Sequence, residues 1–353
     1  MENVISPDPY AGAVANSGRP ALADTYAVAG RFVCVEADDK EAAELFRRFF
    51  AGWHFERLEG ASAPALDATI RVRQSAPPSP PSELETFETA GGGFCRTDGR
   101  TYIFERDGSA VRAIGGRHEV EVWIGNGPTS RERTALARLV FEATMVALRR
   151  CGLFELHAAG VVDPLSGDGF LVVGPSGSGK STLATQLASA GWRYLSDDAL
   201  LLCAAADVIE AYALRREFAV TEQTVAAGVL EGFEDLLKEP VPFDPLKRRF
   251  KPHVAFPEGF SESCVPRAIF FPVIMNGPAS HARRLTQAET MRALLRMCPW
   301  ACYDRPAAAK HLGVLAQLAR QAVGFELQAG RDLLGDAEYS ARYLRGLVGR
   351  GSI

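Results

Sequence analysis

The 353-residue sequence predicts an α/β protein in two parts: a larger domain at 153–353 built on a glycine-rich strand-to-helix turn, and a smaller α+β domain at 25–152. Three observations predict this. The string GPSGSGKS at 174–181 lies between an apolar run, FLVV, and an amphipathic one, KSTLATQLASAG. Short β-like runs separated by Asp-Gly turns fill 87–125. Beyond Gly152 the texture changes to alternating strand and helix, the pattern of an α/β layer.

Composition sets the class. Apolar residues make up 47% and charged residues 23%, the balance of a globular chain with a core. A formal charge of −4 supplies no broad positive field for nucleic acid or anionic lipid, so neither is expected as a partner. The opening MENVISPDPYAGAVANSG has no basic segment followed by an apolar core, and no apolar run is long enough to cross a membrane, so a cytoplasmic protein is expected. The cysteine count, 7, is odd and the positions are scattered, which argues for small buried side chains rather than disulfides. Cys298 and Cys302 have no second Cys or His pair at zinc-site spacing.

Residues 1–24, rich in Pro, Gly, Ser and Ala without periodicity, read as a mobile tail. TYAVAGRFVCVEA (25–37) reads as a strand, KEAAELFRRFFAGW (40–53) as an amphipathic helix, and ATIRVRQ (68–74) as a further strand. SAPPSPPSE at 75–83 carries four prolines, which remove backbone donors and leave an exposed connector. An antiparallel meander follows to Gly125, then a long helix at 130–150 closed by Gly152. FELHAAGVVD (154–163) and FLVVG read as strands, 180–191 as a helix and RYLS (193–196) as a strand. Helices are expected at 283–297, 308–323 and 336–349, and a strand at 267–275.

The loop fits GxxxxGK[ST] in the strand-loop-helix setting that this pattern requires. Gly174, Gly177 and Gly179 let backbone N–H groups converge without a Cβ in the way, and Pro175, Ser176 and Ser178 complete the turn. The helix beginning at Lys180 adds the positive end of its dipole. In such a loop Lys180 reaches the β- and γ-phosphates of ATP, the Ser181 hydroxyl ligates Mg²⁺, and Thr182 is a further phosphate contact. A glycine turn that merely joins strand to helix would not explain Lys180 and Ser181 at that offset.

Asp197 and Asp198 end the strand that follows the loop helix, which returns them to the loop. Neighbouring carboxylates at a strand end point different ways, so Asp197 can face Mg²⁺ while Asp198 faces an attacking hydroxyl as its base. Most Asp-Asp pairs are solvated turns or helix caps. The short spacing from Lys180 favours the chemical reading and argues against motor-type ATPases.

The stretch LHAAGVV (156–162) with GPSGSGKSTLATQLASAGWRYLSDD (174–198) resembles HPr kinase/phosphorylase and its bacterial relatives. The resemblance implies a domain of the HPr-kinase/PEP-carboxykinase-like fold. By it His157, otherwise a strand histidine, takes the place of the family's active-site histidine, with Lys180 and Ser181 as phosphate lysine and Mg²⁺ ligand and Asp198 as base. The family's acidic Mg²⁺ ligand has no clear copy in VIEAYALRREFAVTEQ, where Glu210, Glu217 and Glu222 all qualify. In KRRFK (247–251), Arg249 or Lys251 falls where relatives carry a basic residue near phosphate, and Arg249 is taken as the candidate.

Residues before 150 match no domain of HPr kinase, which leaves the reverse, phosphorylase reaction in question. The expected activity is transfer of the ATP γ-phosphoryl group to a hydroxyl, a serine of a protein or peptide. A small-molecule acceptor and a non-catalytic nucleotide sensor are the alternatives, and a homo-oligomer stays open.

Overall fold

A computed structural model describes residues 22–59, 65–89, 92–125, 130–226, 228–230, 232–237, 239–241, 244–275 and 277–349. Most of the expected tail, 1–21, lies outside the described residues; its last three join the strand Leu22–Val28. Over the described residues the fold is mixed α/β, with sheets of nine, six, four and three strands.

The nine-stranded sheet runs, in spatial order, Glu56–Arg57, Leu22–Val28, Arg31–Ala37, Ala68–Arg73, Glu119–Trp123, Ser109–Ile114, Thr101–Arg106, Phe94–Thr97 and Glu85–Glu88. The single strand expected at 25–37 is a hairpin: Ala29 and Gly30 both adopt positive φ, +47° and +70°, the two-residue turn whose twist matches antiparallel strands. The meander at 85–123 is antiparallel throughout. Ala68–Arg73 lies parallel to both Arg31–Ala37 and Glu119–Trp123, joining the hairpin to the meander. Helix Lys40–Ala51, capped by the Asp39 carboxylate on Ala42 N–H at 2.8 Å, presses Phe46 and Phe50 into the core. Helix Ser130–Arg150 ends where Gly152 turns the chain at φ +78°.

The six-stranded sheet is ordered Arg193–Ser196, Ala158–Val162, Gly169–Val173, Pro266–Ile274, Val323–Ala329 and His281–Arg284. Its middle is covered on both sides, and side chains alternate accordingly. Leu171 and Val173 pack toward Leu294, Leu315 and Leu318; Phe170 and Val172 pack toward Leu183, Leu187 and Leu344. The strand expected at 154–163 divides at His157: Leu153–Leu156 belongs to the four-stranded sheet and Ala158–Val162 to the six-stranded one. The helix expected from 283 starts at Gln287, because Thr286 and Glu289 form a capping box and the residues before them pair as strand His281–Arg284. The other expected elements of this half are Arg305–Gln321, Ala337–Gly349 and Pro266–Ile274. Among the described residues no helix is long and apolar enough to cross a membrane, and six cysteines are free and buried; the Cys302 side chain lies outside the described residues.

One core histidine yields a pH prediction. His311 is 1% exposed, stacks on Phe154 at 4.9 Å, and neither ring nitrogen has a hydrogen-bond partner among the described residues. Burial, reinforced by Arg149, lowers its pKa from 6.5 to about 3. The folded state therefore holds this imidazole neutral while the unfolded chain protonates it below 6.5. Its contribution is complete above pH 6.5 and is lost as pH falls toward 3, at up to about 1.4 kcal/mol per pH unit. Denaturant unfolding at pH 7 and pH 5 should show a steeper loss in the native protein than in His311→Leu; parallel losses would contradict it.

Candidate functional site

The site forms where the loop leaves the fully buried strand Gly169–Val173 and enters helix Lys180–Ser189. Backbone geometry explains the glycines. Gly177 and Gly179 adopt φ of +81° and +93°, and a Cβ on Gly174 would lie 2.7 Å from the Ser178 hydroxyl. Lys180 folds back over the loop, 5% exposed, and its ammonium donates to the carbonyls of Gly174 at 2.8 Å and Pro175 at 3.1 Å. Its third contact is with His157 Nε2 at 3.0 Å.

That contact assigns the imidazole. An ammonium only donates, so Nε2 accepts; Nδ1 then carries the proton and donates to the Asp198 carbonyl at 2.9 Å. Burial lowers the His157 pKa first, Asp198 opposes, and Lys180 lowers it further. Burial also lowers that of Lys180, against the pull of Asp198 and Asp197. His157 thus stands as a neutral bridge between Lys180 and Asp198, set there by the break between two strands.

The two aspartates differ sharply. Asp197, 1% exposed, accepts from the Ser181 hydroxyl at 2.8 Å and from the Ala219 N–H at 3.0 Å. Burial, then the neighbouring Asp198 charge, raises its pKa to about 6. Asp198 sits at φ +69°, a left-handed backbone uncommon outside glycine, and its half-exposed carboxylate lies 3.2 Å from His157 Nδ1, 3.6 Å from Arg215 Nη1 and 3.9 Å from Lys180 Nζ. Burial alone would raise its pKa, but Arg215, His157 and Lys180 together outweigh burial and lower it. One carboxylate is tied to the loop helix and the other is kept ionised among cations.

A cleft of about 640 Å³ opens over the loop. Its floor is Ser176 to Thr182, with Asp198 at one side; Thr221, Thr224 and Lys247 form one wall, and Pro272, Ile274, Met275 and Leu334 an apolar one. Thr182 and Thr224, which both line the cleft, share a hydrogen bond at 2.7 Å.

The structure brings His157, Lys180, Ser181, Asp197 and Asp198 together, but not Arg249. Arg249 pairs with Glu217 at 3.5 Å and is not among the cleft residues, because on strand Asp244–Phe250 it is Lys247 whose ammonium reaches the loop, at Ser176 Oγ, 3.1 Å away. The candidate acidic ligands are engaged elsewhere as well: Glu210 accepts from the Tyr212 hydroxyl and Glu222 pairs with Arg248. Arg215 and the apolar wall escaped the sequence reading; Arg215 is one of two adjacent arginines in a run with no motif, and Ile274 and Met275 read as an ordinary strand end.

For Mg²⁺ the nearby donors are hard oxygens, the Ser181 hydroxyl, which lines the cleft, and behind it the buried Asp197 carboxylate, 2.8 Å away. A pair of this kind suits Mg²⁺, which takes one or two protein ligands and completes its shell with water and phosphate. Groups of three or more His, Cys, Asp or Glu side chains poised for a metal are absent among the described residues.

No protein-family model matches the chain, and no curated protein matches it. Among solved structures it is similar to the Hpr(Ser) kinase/phosphatase from Coxiella burnetii, with TM-score 0.30 and 10% identity over 56% of this chain and 99% of that chain. A likeness this slight assigns neither fold nor chemistry.

The His157 bridge predicts how its titration responds to its neighbours. In Lys180→Met the imidazole midpoint should rise, and in Asp198→Asn it should fall, relative to the native protein. Histidine resonances followed by NMR across pH 4–8 measure both; a midpoint indifferent to Lys180 would contradict the contact.

Proposed function

We propose that this chain is an HPr-kinase-like phosphotransferase that uses ATP and Mg²⁺ to phosphorylate a hydroxyl, a serine of a protein or peptide. The observation that supports it most directly is the approach of Lys180 to Asp198, 3.9 Å, at the edge of one cleft. A phosphate-gripping ammonium and an ionised carboxylate that close can serve opposite sides of a single transfer.

In this reading the backbone N–H groups of the loop hold the phosphates and Lys180 leaves its carbonyl partners to follow the γ-phosphoryl group. Ser181 and Asp197 would hold Mg²⁺, which would supply charge neutralisation to the transferring phosphate. The apolar wall of Ile274, Met275 and Leu334 receives the nucleobase. The acceptor oxygen forms a bond to the γ-phosphorus, the bond from that phosphorus to the β–γ bridging oxygen breaks to release ADP, and the hydroxyl proton passes to the Asp198 carboxylate. Positioning and electrostatics carry the acceleration.

The division at 25–152 and 153–353 belongs to the same proposal. Its two domains would share a boundary core, since Leu201, Cys203 and Leu214 pack among the apolar residues of the first.

Labelled γ-phosphate, native extract and mass spectrometry of the labelled product test the proposal. Lys180→Ala should lose both ATP binding and transfer. Asp198→Asn should bind ATP normally and lose transfer by about 10²–10⁴-fold, the range of a general base. Full transfer by Asp198→Asn would remove the base assignment, and labelling of no hydroxyl by the native protein would remove the kinase reading.

A further inference from the structure

The segment after helix Lys40–Ala51 lies far from the loop in sequence, yet it joins the chain next to Asp198. His54 N–H donates to the Leu214 carbonyl at 2.8 Å and Arg216 N–H to the Gly52 carbonyl at 3.1 Å, so that Trp53 and Arg215 pair as an isolated antiparallel bridge. Arg216 Nε donates to the Trp53 carbonyl at 2.5 Å. Residues 52–54 and 214–216 are thereby one backbone unit.

The side chains continue the connection. The Trp53 ring, 8% exposed, is stacked on Phe49 at 4.8 Å and packed by Phe141 at 5.9 Å, which fixes its plane. The Arg215 guanidinium lies over that ring at 5.4 Å and points Nη1 at Asp198 Oδ2, 3.6 Å away. Ser196 ties the other end: its hydroxyl accepts from the Arg215 N–H at 2.8 Å, one residue before the aspartate pair. Arg215 Nε is buried without a hydrogen-bond partner among the described residues, so the guanidinium finds no acceptor at that edge and depends on the ring beneath it.

We infer that Trp53 is a positioning residue for the transfer site: it carries Arg215, and Arg215 in turn holds the Asp198 carboxylate in its orientation toward the acceptor. The inference rests on the kinase reading for the role of Asp198. It gives residues before 150 a function in the chemistry, acting through the turn at 52–54 rather than through contact with nucleotide. Lys180 and His157 hold Asp198 from the loop side; Trp53 and Arg215 hold it from the other.

The test separates orientation from bulk. Trp53→Leu keeps an apolar filler but removes the π-face, Trp53→Phe keeps a face, and Arg215→Lys keeps the charge but loses the planar fork. Trp53→Leu and Arg215→Lys should each lower kcat about threefold, the scale of a partly exposed cation–π contact, with ATP affinity by calorimetry unchanged and melting temperatures for Trp53→Leu and Trp53→Phe alike. Trp53→Phe should restore most of kcat. The double variant Trp53→Leu/Arg215→Lys should be no slower than Arg215→Lys alone, because both changes break one connection. Equal kcat in the two Trp53 variants, or additive losses in the double variant, overturns the inference while native activity leaves the kinase reading standing.

A second readout needs no turnover. The Arg215 Nε–H resonance, assigned by its loss in Arg215→Lys, should carry a ring-current shift that disappears in Trp53→Leu, persists in Trp53→Phe and moves in Asp198→Asn. A resonance indifferent to Trp53 overturns the inference even in a protein without kinase activity.

Discussion

Arg149 is buried to within 3% of full enclosure and is nonetheless charged, and much of the architecture is arranged around keeping it so. Its Nε lies 3.0 Å from both carboxylate oxygens of Glu155, and Nη1 is 3.1 Å from Asp304. Arg150 adds two contacts to Asp304, at 2.9 and 3.0 Å. Helix Ser130–Arg150, strand Leu153–Leu156 and the start of helix Arg305–Gln321 meet at this cluster. Removing a single carboxylate would strand a buried cation, at a typical cost of about 3–5 kcal/mol, so the three elements hold one another in register. The chain leaves the cluster through Leu156, and the next residue is His157.

The site inherits its electrostatic pattern from that placement. Three basic groups, the Lys180 ammonium, the His157 imidazole and the Arg215 guanidinium, lie within 3.9 Å of one carboxylate, whereas the adjacent carboxylate has a hydroxyl and a backbone N–H. Two residues side by side in sequence are driven to opposite protonation preferences by what surrounds them. The division of the chain at His157 between two sheets and the left-handed turn at Asp198 are the two backbone features that bring these groups together.

Local patterns in the sequence carried a good part of this. The loop, the helix behind it and the return to Asp197 and Asp198 follow from glycine spacing and periodicity within a short span. What needed the fold was contact between distant segments. The parallel pairing of Ala68–Arg73 with strands from both sides has no local signature, and FELHAAGVVD has no Pro, Asn-Gly or Asp-Gly turn signal beside His157, so its division between two sheets leaves no trace in the pattern. Within KRRFK, Lys247 and Arg249 share one face of the strand, so alternation does not separate them; their places along it do, since Lys247, opposite Thr221, reaches Ser176 and Arg249, opposite Ala219, pairs with Glu217. The hairpin at Ala29–Gly30 and the capping box at Thr286 were within reach of the residues themselves.

The left-handed backbone at Asp198 restricts the position before any reaction is considered. Side chains with a branched or bulky Cβ are strained at φ +69°, and apart from glycine the residues that tolerate it best are aspartate and asparagine. Substitution there is therefore filtered twice, once by conformation and once by charge, and the changes easiest on the backbone, to glycine and to asparagine, both abolish the carboxylate. Sequence drift at this point has a choice between keeping the acid and losing it outright, with few intermediates that fold equally well.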